Sequence, residues 1–577
     1  RHQLRQRRER YEDAWTENQE VSESIVRQLE HEAAAVARLR GHAAPLPRLD
    51  RIAGLNDAAL DDIQRRLTKV AGGRGWIARL RARRIAGRLG APRDVDTAAI
   101  QLAVAAHRAT LRVGTASAAG RHDWESLAAT ASRSRRLYAT LVETEVRARA
   151  DRGDRKRIAE LANALRQSRR QRRRLLREAD PAGVLGVIPM WIGTLSEIDD
   201  ILPAVPGMFD VVIFDEASQI EQVRAATALM RARRAVVVGD PRQLRHVSFV
   251  SDERMDEAAA KHEVESQLRH LADVRRNSLF DIAAATSPVI ALQEHFRSVP
   301  HIIEFSNRRF YSNRLRLMTQ HPRSESRDAI RTISVGGNRR KNGSNPDEVA
   351  AVLDLIGQAT GSVGVVSPFR AQAEPIEEAT IAALSSEEIV RIGLKVGTAH
   401  AMQGSEHDTV IISLALDDAS MGSLRFLEDP NLFNTMVTRA RQHQVVLQSF
   451  TPAGLREGLL AAYLRHAEDP PRPDWEQKLG SGWSGQLGSA LRRRGFRVVA
   501  DYPVAGWQVD LAVGTGHSAI GVVCGVHADG PQRHIERQSA LRRAGWEIVD
   551  AFESFYLADP EAAIAAVVAR LLEKPGT

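Results

Sequence analysis

From residue 181 onward, short apolar runs recur between stretches of helical periodicity: Val211 to Phe214, Ala235 to Val238, Val363 to Val366, Val410 to Leu414 and Val445 to Leu447. Runs of aliphatic residues without polar alternation describe strands buried on both faces. Strands of that kind, joined through helices, are parallel, so the expected fold class is α/β with parallel sheets. Residues 1–180 carry a different pattern. There Ile25, Leu29, Ala33, Val36 and Leu39 step by three or four, as do Ile158, Leu161 and Leu165. That is the period of helices with one apolar face. Turn residues at Gly41–Pro47 and Gly72–Gly75 predict a bent helical hairpin or bundle here rather than one rod.

A chain of 577 residues exceeds a single core and predicts three or four units. Hydrophobic residues at 43% and charged residues at 27% exclude a collagen-like or wholly disordered chain. No apolar run approaches the ~18 residues of a membrane span. The single cysteine, Cys524, excludes an intramolecular disulfide framework, a cysteine-rich zinc site and an iron–sulfur cluster, and fits a reducing cytoplasm. The formal charge of +9 is unevenly held: residues 1–180 carry 39 Lys+Arg against 23 Asp+Glu, and the remainder 42 against 49. Past Leu165 the apolar stripe meets Ser168 and Arg172, inside the run Arg169, Arg170, Gln171, Arg172, Arg173, Arg174. Such a run is either a solvated helix face or an arm whose guanidinium groups contact nucleic-acid phosphates.

Two strand ends carry the chemistry. In VVIFDEASQ, residues 211–219, a buried strand runs directly into Asp215 and Glu216. Open α/β sheets place their ligands at the carboxyl ends of strands. An acid there is suited to hold Mg²⁺, and its neighbour to orient or deprotonate an attacking water in phosphoryl transfer. In AVVVGDPRQL, residues 235–244, a second strand ends in Gly239-Asp240-Pro241, with Gln243 three residues after Asp240.

The order of these segments and of those that follow resembles the superfamily 1 helicase motor in its Upf1-like branch, over roughly residues 185–450. The resemblance implies two RecA-like parallel-sheet lobes that use ATP and Mg²⁺. VVIFDEASQ resembles the Walker B box, implying Asp215 on magnesium and Glu216 as catalytic base. GDPRQL resembles the following box, implying Gln243 as the γ-phosphate sensor, with Arg245 and His246 where two prolines are usual. LQEHFRSVPHIIEFSNRRFY, residues 292–311, implies Arg297 as a phosphate contact. VVSPFRAQ, residues 365–372, implies Phe369 beside the adenine ring and Arg370 near the γ-phosphate. VGTAHAMQGSEHDTVIIS, residues 396–413, places Gln403, Gly404 and Glu406 at nucleotide-binding positions, with Met402 where an aromatic residue is usual. NLFNTMVTRAR, residues 431–441, implies Arg439 as the arginine finger.

A phosphate-cradling loop of the form Gly-x-x-x-x-Gly-Lys-Ser/Thr is absent from the sequence. In the resembled family this loop precedes the Walker B box and is often separated from it by a helical stalk. The expectation is therefore a loop upstream of Arg1, and inefficient ATP hydrolysis by these residues alone.

The last hundred residues carry a second resemblance. Trp483 to Leu491, GFRVVADYPVAGWQVDLAV at 495–513, IGVVCGV at 520–526 and RRAGWEIVDAF at 542–552 resemble the Vsr-like restriction-endonuclease fold. Asp510 matches its first metal-binding aspartate. Val523 stands where that fold usually carries Glu, the helix acid is replaced around Ser484 and Gln486, and Asp529 and His527 lie off the pattern. Two carboxylates are the usual minimum for a catalytic Mg²⁺, so a degenerate, structural or DNA-docking domain is expected.

The expected organisation is a basic helical stalk or insertion at 1–180, the remainder of the first lobe at 181–318, and the second lobe at 319–467. A Pro-rich linker at 468–474 and the restriction-endonuclease-like domain at 475–577 follow. The leading functional expectation is an ATP-dependent helicase or translocase, on DNA more than RNA and 5′ to 3′ by resemblance, with no membrane partner. The alternatives are a non-catalytic nucleic-acid-binding scaffold and a helicase–nuclease effector.

Overall fold

The computed structural model describes residues 2–40, 49, 51–52, 55–71, 76–91, 97–108 apart from 102 and 106, 121–152, 155–178, 185–186, 188–248, 250–324, 329–468, 479–480, 482–553 and 560–573. The turn segments Gly41–Pro47 and Gly72–Gly75, and residues 469–474 of the expected linker, lie outside them. Among the described residues no helix is long and apolar enough to cross a membrane.

The N-terminal region is helical: α1 (His2–Arg40), α2 (Asp57–Ala71), α3 (Trp76–Arg88), α4 (Arg121–Arg152), α5 (Arg155–Arg166) and α6 (Arg169–Glu178). Helices α1 and α4 lie side by side and antiparallel. Their contacts run in opposite order along the two helices: Arg7 meets Thr144, Thr130 Oγ1 donates to Asn18 at 2.9 Å, and Ser134 Oγ donates to the carbonyl of Ala14 at 2.9 Å. A smaller core of Leu60, Leu67, Leu89, Ile100 and Val104 closes the α2–α3 unit.

In the first lobe, β1 (Phe209–Phe214) and β2 (Ala232–Val237) form a two-stranded parallel sheet. The crossover between them is α7 (Gln222–Met230). Only one face of this pair is packed, by Phe214, Ala217, Ala225, Ala228 and Leu279. On the opposite face Val211 is 45%, Ile213 69% and Val236 48% exposed. The expectation of strands covered on both faces therefore does not hold here. Burial comes from the neighbours, and the described residues put neighbours on one side.

The second lobe meets that expectation in full. Strands β3 (Glu294–His295) and β4 (Arg316–Leu317), within the span expected for the first lobe, form a short parallel pair, and α8 (Pro300–Phe310) in the connection between them packs Ile302, Phe305 and Phe310 into the core of the second lobe. Then β5 (Ile330–Ser334), β6 (Val363–Ser367), β7 (Lys395–Thr398), β8 (His407–Asp417) and β9 (Ala440–Ser449) form one parallel sheet in the order β5-β9-β8-β6-β7. Every residue of β6 is buried. Helices α9 (Pro346–Gln358), α10 (Arg370–Ala383), α11 (Pro430–Val437) and α12 (Leu459–Glu468) complete the lobe. The helix start at α9 is fixed by Asn345, whose side chain accepts from the N–H groups of Asp347 and Glu348. Glu348 is itself fully buried and joins two strands, accepting from Ser413 Oγ at 2.7 Å, Ser449 Oγ at 2.8 Å and the Ala415 N–H at 2.9 Å. Burial pushes its carboxyl upward despite these donors.

The C-terminal unit is a four-stranded sheet, β10 (Val498–Val504), β11 (Trp507–Val513), β12 (Ile520–Val523) and β13 (Ile548–Asp550), in sequential order. Only the β12–β13 pair is parallel. Helices α13 (Trp483–Arg493), α14 (Pro531–Arg543) and α15 (Pro560–Leu572) pack against it. The unit is firmly seated. Trp546 Nε1 donates to the carbonyl of Gln320 at 3.0 Å, and its ring lies 4.4 Å from that of His321. On another side Ile25, Leu29 and Trp124 of the helical arm share a core with Val523, Ile535, Trp546 and Phe552.

Candidate functional site

The turn after β1 is shaped by the acids themselves. Asp215 is exposed at the strand end, and its Oδ1 accepts the N–H of Glu216 at 2.9 Å. Glu216 sits in the left-handed region with φ of 52°, a sparsely populated conformation for a non-glycine residue. Its Oε2 accepts from Gln219 Nε2 at 3.2 Å. The turn after β2 lies directly alongside, with the Ala217 N–H donating to the carbonyl of Val238 at 2.8 Å. Gly239 is required by that approach, because a Cβ there would stand 3.0 Å from Ser218 Oγ and 3.1 Å from the Phe280 ring.

The second lobe is brought to these turns by α11. Asn431 Nδ2 donates to the carbonyls of Gln243 at 2.8 Å and Pro241 at 3.2 Å. One turn later, Asn434 Nδ2 donates to the carbonyl of Arg242 at 2.9 Å and to the Tyr311 hydroxyl at 2.9 Å. Thr435 Oγ1 accepts the Leu244 N–H at 3.0 Å. Tyr311 passes its own hydrogen to Asp240 Oδ2 at 2.6 Å, and burial beside that carboxylate raises the phenol well above its ordinary range.

Arg439 stands at the centre of the contact. It is 2% exposed, and its Nη2 donates to Gln243 Oε1 at 2.9 Å while Nε donates to the carbonyl of Thr435 at 2.7 Å. Burial, and then the positive charge of Arg297, lower its guanidinium to about 10, while Glu216, Tyr311 and Glu406 act in the opposite sense. It therefore remains charged at neutral pH. Arg297 in turn pairs with Glu406. Gln403 presents a buried Nε2 without a hydrogen-bond partner, and Gly404 has φ of +73° with no atom within reach of a Cβ. Met402 is fully buried in the core of the second lobe.

The structure thus brings Glu216, Gln243, Arg297, Glu406 and Arg439 into one electrostatic neighbourhood, with Asp215 adjoining through its own turn. It does not bring Arg370 into that network: the side chain is 84% exposed, and its Nε donates to Glu374 at 2.6 Å on its own helix. Phe369 is half-buried, with the Arg339 guanidinium 4.4 Å from its centroid and Phe426 stacked at 5.9 Å. Residues that sequence reasoning missed are Tyr311, Asn431, Asn434 and Thr435. One signal was available, since Asn431 and Asn434 lie three apart on one face of a mostly apolar helix.

An exposed carboxylate at a strand end, without an ion pair among the described residues, fits a divalent cation, and the adjoining buried guanidinium fits a polyanion. Asp215 would hold Mg²⁺, and Arg439, Arg297 and Gln403 would meet phosphate. Bound ATP would supply the transferable phosphoryl group, and Mg²⁺ would neutralise its charge.

The C-terminal aspartate has other surroundings. Asp510 lies within β11, where its Oδ2 accepts the Cys524 N–H at 2.5 Å and its Oδ1 faces Arg537 Nη1 at 3.4 Å. Burial raises its carboxyl, with Arg537 and the backbone donors of Cys524 and Gly525 opposing. Of the six-membered arginine-rich run, Arg170 and Arg174 are exposed on α6 and Arg172 bends back to donate to the carbonyl of Gln167 at 3.2 Å. The side chains of Arg169 and Arg173 lie outside the described residues.

Two AAA domain families match, one over residues 24–249 and the other over residues 275–450, and a third family, REase_MTES_1575, matches residues 484–571. The chain is 27% identical over 313 residues to an uncharacterized ATP-dependent helicase, MG140, of Mycoplasma genitalium, covering 49% of this chain and 27% of that protein. It is 24% identical to helicase SEN1 of Saccharomyces cerevisiae, over 45% of this chain and 12% of that protein. It is also 24% identical to the DNA replication ATP-dependent helicase/nuclease DNA2 of Gallus gallus, over 45% of this chain and 25% of that protein. The chain spans about a quarter of the first relatives it matches, 27% and 24% of their lengths. By fold and sequence, then, this is a two-lobed α/β chain of the AAA-domain class. More narrowly, it is of the Upf1-like superfamily 1 helicase type, with a C-terminal nuclease-like domain.

Proposed function

We propose that this chain is the motor portion of an ATP-dependent helicase or translocase that steps along one strand of nucleic acid. The observation that carries the reading is the hydrogen bond from Arg439 to Gln243, which joins the two lobes beside Asp215 and Glu216. Phosphoryl transfer needs positioning and charge neutralisation more than covalent chemistry. In this reading Asp215 holds Mg²⁺, Glu216 takes the proton of the attacking water, and Gln243 reports the state of the cleft to the second lobe. Arg439 and Arg297 neutralise charge, with Gln403, Gly404 and Glu406 shaping the pocket and Phe369 bordering the base. Arg370 acts only after leaving Glu374. The phosphate cradle is supplied by a Gly-Lys-Ser/Thr loop additional to these residues.

DNA is the substrate we favour, with 5′ to 3′ movement and a cytoplasmic setting. The net positive arm and its Arg169–Arg174 run engage phosphates or steer the duplex. The test is strand displacement and nucleic-acid-stimulated ATP hydrolysis by the full-length protein, on DNA and RNA with 5′ or 3′ tails. Stimulated turnover lost in Glu216→Gln supports the reading. A full-length protein that binds nucleic acid but neither hydrolyses ATP nor displaces a strand would instead establish the non-catalytic scaffold.

A further inference from the structure

The nuclease-like fold of the C-terminal unit implies a divalent metal, and the residues present do not fit one. We propose that this unit is a metal-free bracket: Arg537 occupies the cation position beside Asp510, and the helical arm, through Trp124, closes the adjoining face at Val523 and Asp550.

A catalytic divalent ion needs oxygen ligands that are open to it, normally from at least two carboxylates. Asp510, with 25% of its side chain exposed, has both oxygens already engaged. Its oxygens already meet the Cys524 N–H and the Arg537 guanidinium, with the Gly525 backbone as a further donor. Arg537 is in turn locked in place, because Nη2 donates to the carbonyl of Gly525 at 2.9 Å and to His534 Nδ1 at 3.2 Å. Burial holds that imidazole neutral, its pKa lowered to about 3, so it accepts from the guanidinium without adding a competing charge. An ion entering here would have to displace a buried arginine from three acceptors.

The second ligand position is also closed. Val523 is fully buried in the core shared with Ile25, Leu29 and Trp124 of the arm. Its register partner on the next strand is Asp550. That carboxylate is committed as well, since Oδ1 accepts from Gln538 Nε2 at 2.7 Å and Oδ2 accepts from the Trp124 indole. The exposed Asp501 is a like charge near Asp510, and among the described residues no three of His, Cys, Asp and Glu converge as a metal site.

What the unit does instead follows from its contacts. One side holds the arm through Trp124 and the Glu125–Arg570 pair. Another holds the motor through Trp546 on Gln320 and through Arg543, 3.2 Å from Glu294. Glu294 belongs to β3, three residues before Arg297 at the interlobe cleft. The bracket therefore fixes the base of the arm relative to the nucleotide-site elements, whether or not the motor hydrolyses ATP.

The experiment is calorimetric titration of Mn²⁺ into the chain carrying Asp215→Asn, which removes the motor's own acid, together with a Mg²⁺- or Mn²⁺-dependent plasmid-nicking assay. No saturable Mn²⁺ site and no nicking are expected. One saturable site per chain, or nicking that Asp510→Asn abolishes, overturns the metal-free assignment. The closure is read separately by hydrogen exchange in Trp124→Phe. Amides of residues 531–543 and 121–131 are expected to exchange roughly tenfold faster through local opening. Unchanged exchange there overturns the role of the arm.

Discussion

Asp215, in the turn just after a strand, and Asp510, within a strand, are both aspartates of α/β sheets, and their surroundings are opposite. Asp215 is exposed, accepts one backbone N–H and has a buried arginine acting across the cleft on its neighbour Glu216. Asp510 is largely buried and touches its arginine directly. The comparison teaches that a carboxylate's chemistry depends on what already fills its oxygens. One is open to a cation from solution, and the other has been given a cation by the protein.

The largest effect that can break this contrast is kinetic. Arg439→Ala in the full-length protein should lower ATP turnover by about 10³-fold or more with far smaller change in nucleotide affinity, read as kcat against KM. A change confined to KM would reduce Arg439 to a binding residue. Next comes stability. Arg537→Met leaves Asp510 buried without its counter-charge and should cost on the order of 3 kcal/mol in denaturant unfolding of the C-terminal unit. Asp215→Asn, at an exposed site, should stay within about 0.5 kcal/mol of the parent. Equal costs at the two aspartates would erase the distinction.

A pH comparison sharpens it. Burial pushes Asp550 up to about 6, against donors from Trp124 and Gln538 and the charges of Arg542 and Arg537. A folded carboxyl that binds its proton more tightly than the unfolded one stabilises the fold as pH falls, so this contribution grows from about pH 6 down toward the ordinary value near 4. The stability difference between the parent and Asp550→Asn should shift by about 2 kcal/mol between pH 7 and pH 4. A pH-independent difference would mean Asp550 is ionised throughout. The smallest expected effect concerns the arm. Each of Arg170→Ala and Arg174→Ala should reduce the salt slope of nucleic-acid binding by about one unit without changing sequence preference. A flat slope in the parent would remove the arm from the nucleic-acid interface.

Much of the cleft was legible in the sequence because its residues sit at strand ends with fixed neighbours: Asp215 and Glu216 after β1, Gln243 after β2, Arg439 before β9. Tyr311 and Asn434 were harder to see, since Tyr311 meets Asp240 across 71 positions and Asn434 meets Tyr311 across 123. Arg370 shows the converse. Its place in a recognisable segment says where its backbone lies, and the local ion pair with Glu374 decides where its side chain rests. The apolar runs were equally persuasive in both lobes, yet Ile213 is 69% exposed while Val365 is fully buried. Runs record the tendency to be covered, and coverage is a property of neighbours.

By itself the sequence determined the α/β class, the helical arm with its concentrated positive charge, the order of the nucleotide-site segments and the loss of the second nuclease carboxylate at Val523. The first two follow from periodicity and composition, and the last two are what the resemblance of short contiguous segments implies; all of them are local. Tertiary structure alone decided that Arg537 answers Asp510, that Trp124 reaches Asp550 across 426 positions of chain, and that the C-terminal unit is clamped between arm and motor. Those facts depend on which buried polar groups meet, and desolvation makes such meetings obligatory without making them visible in the order of residues.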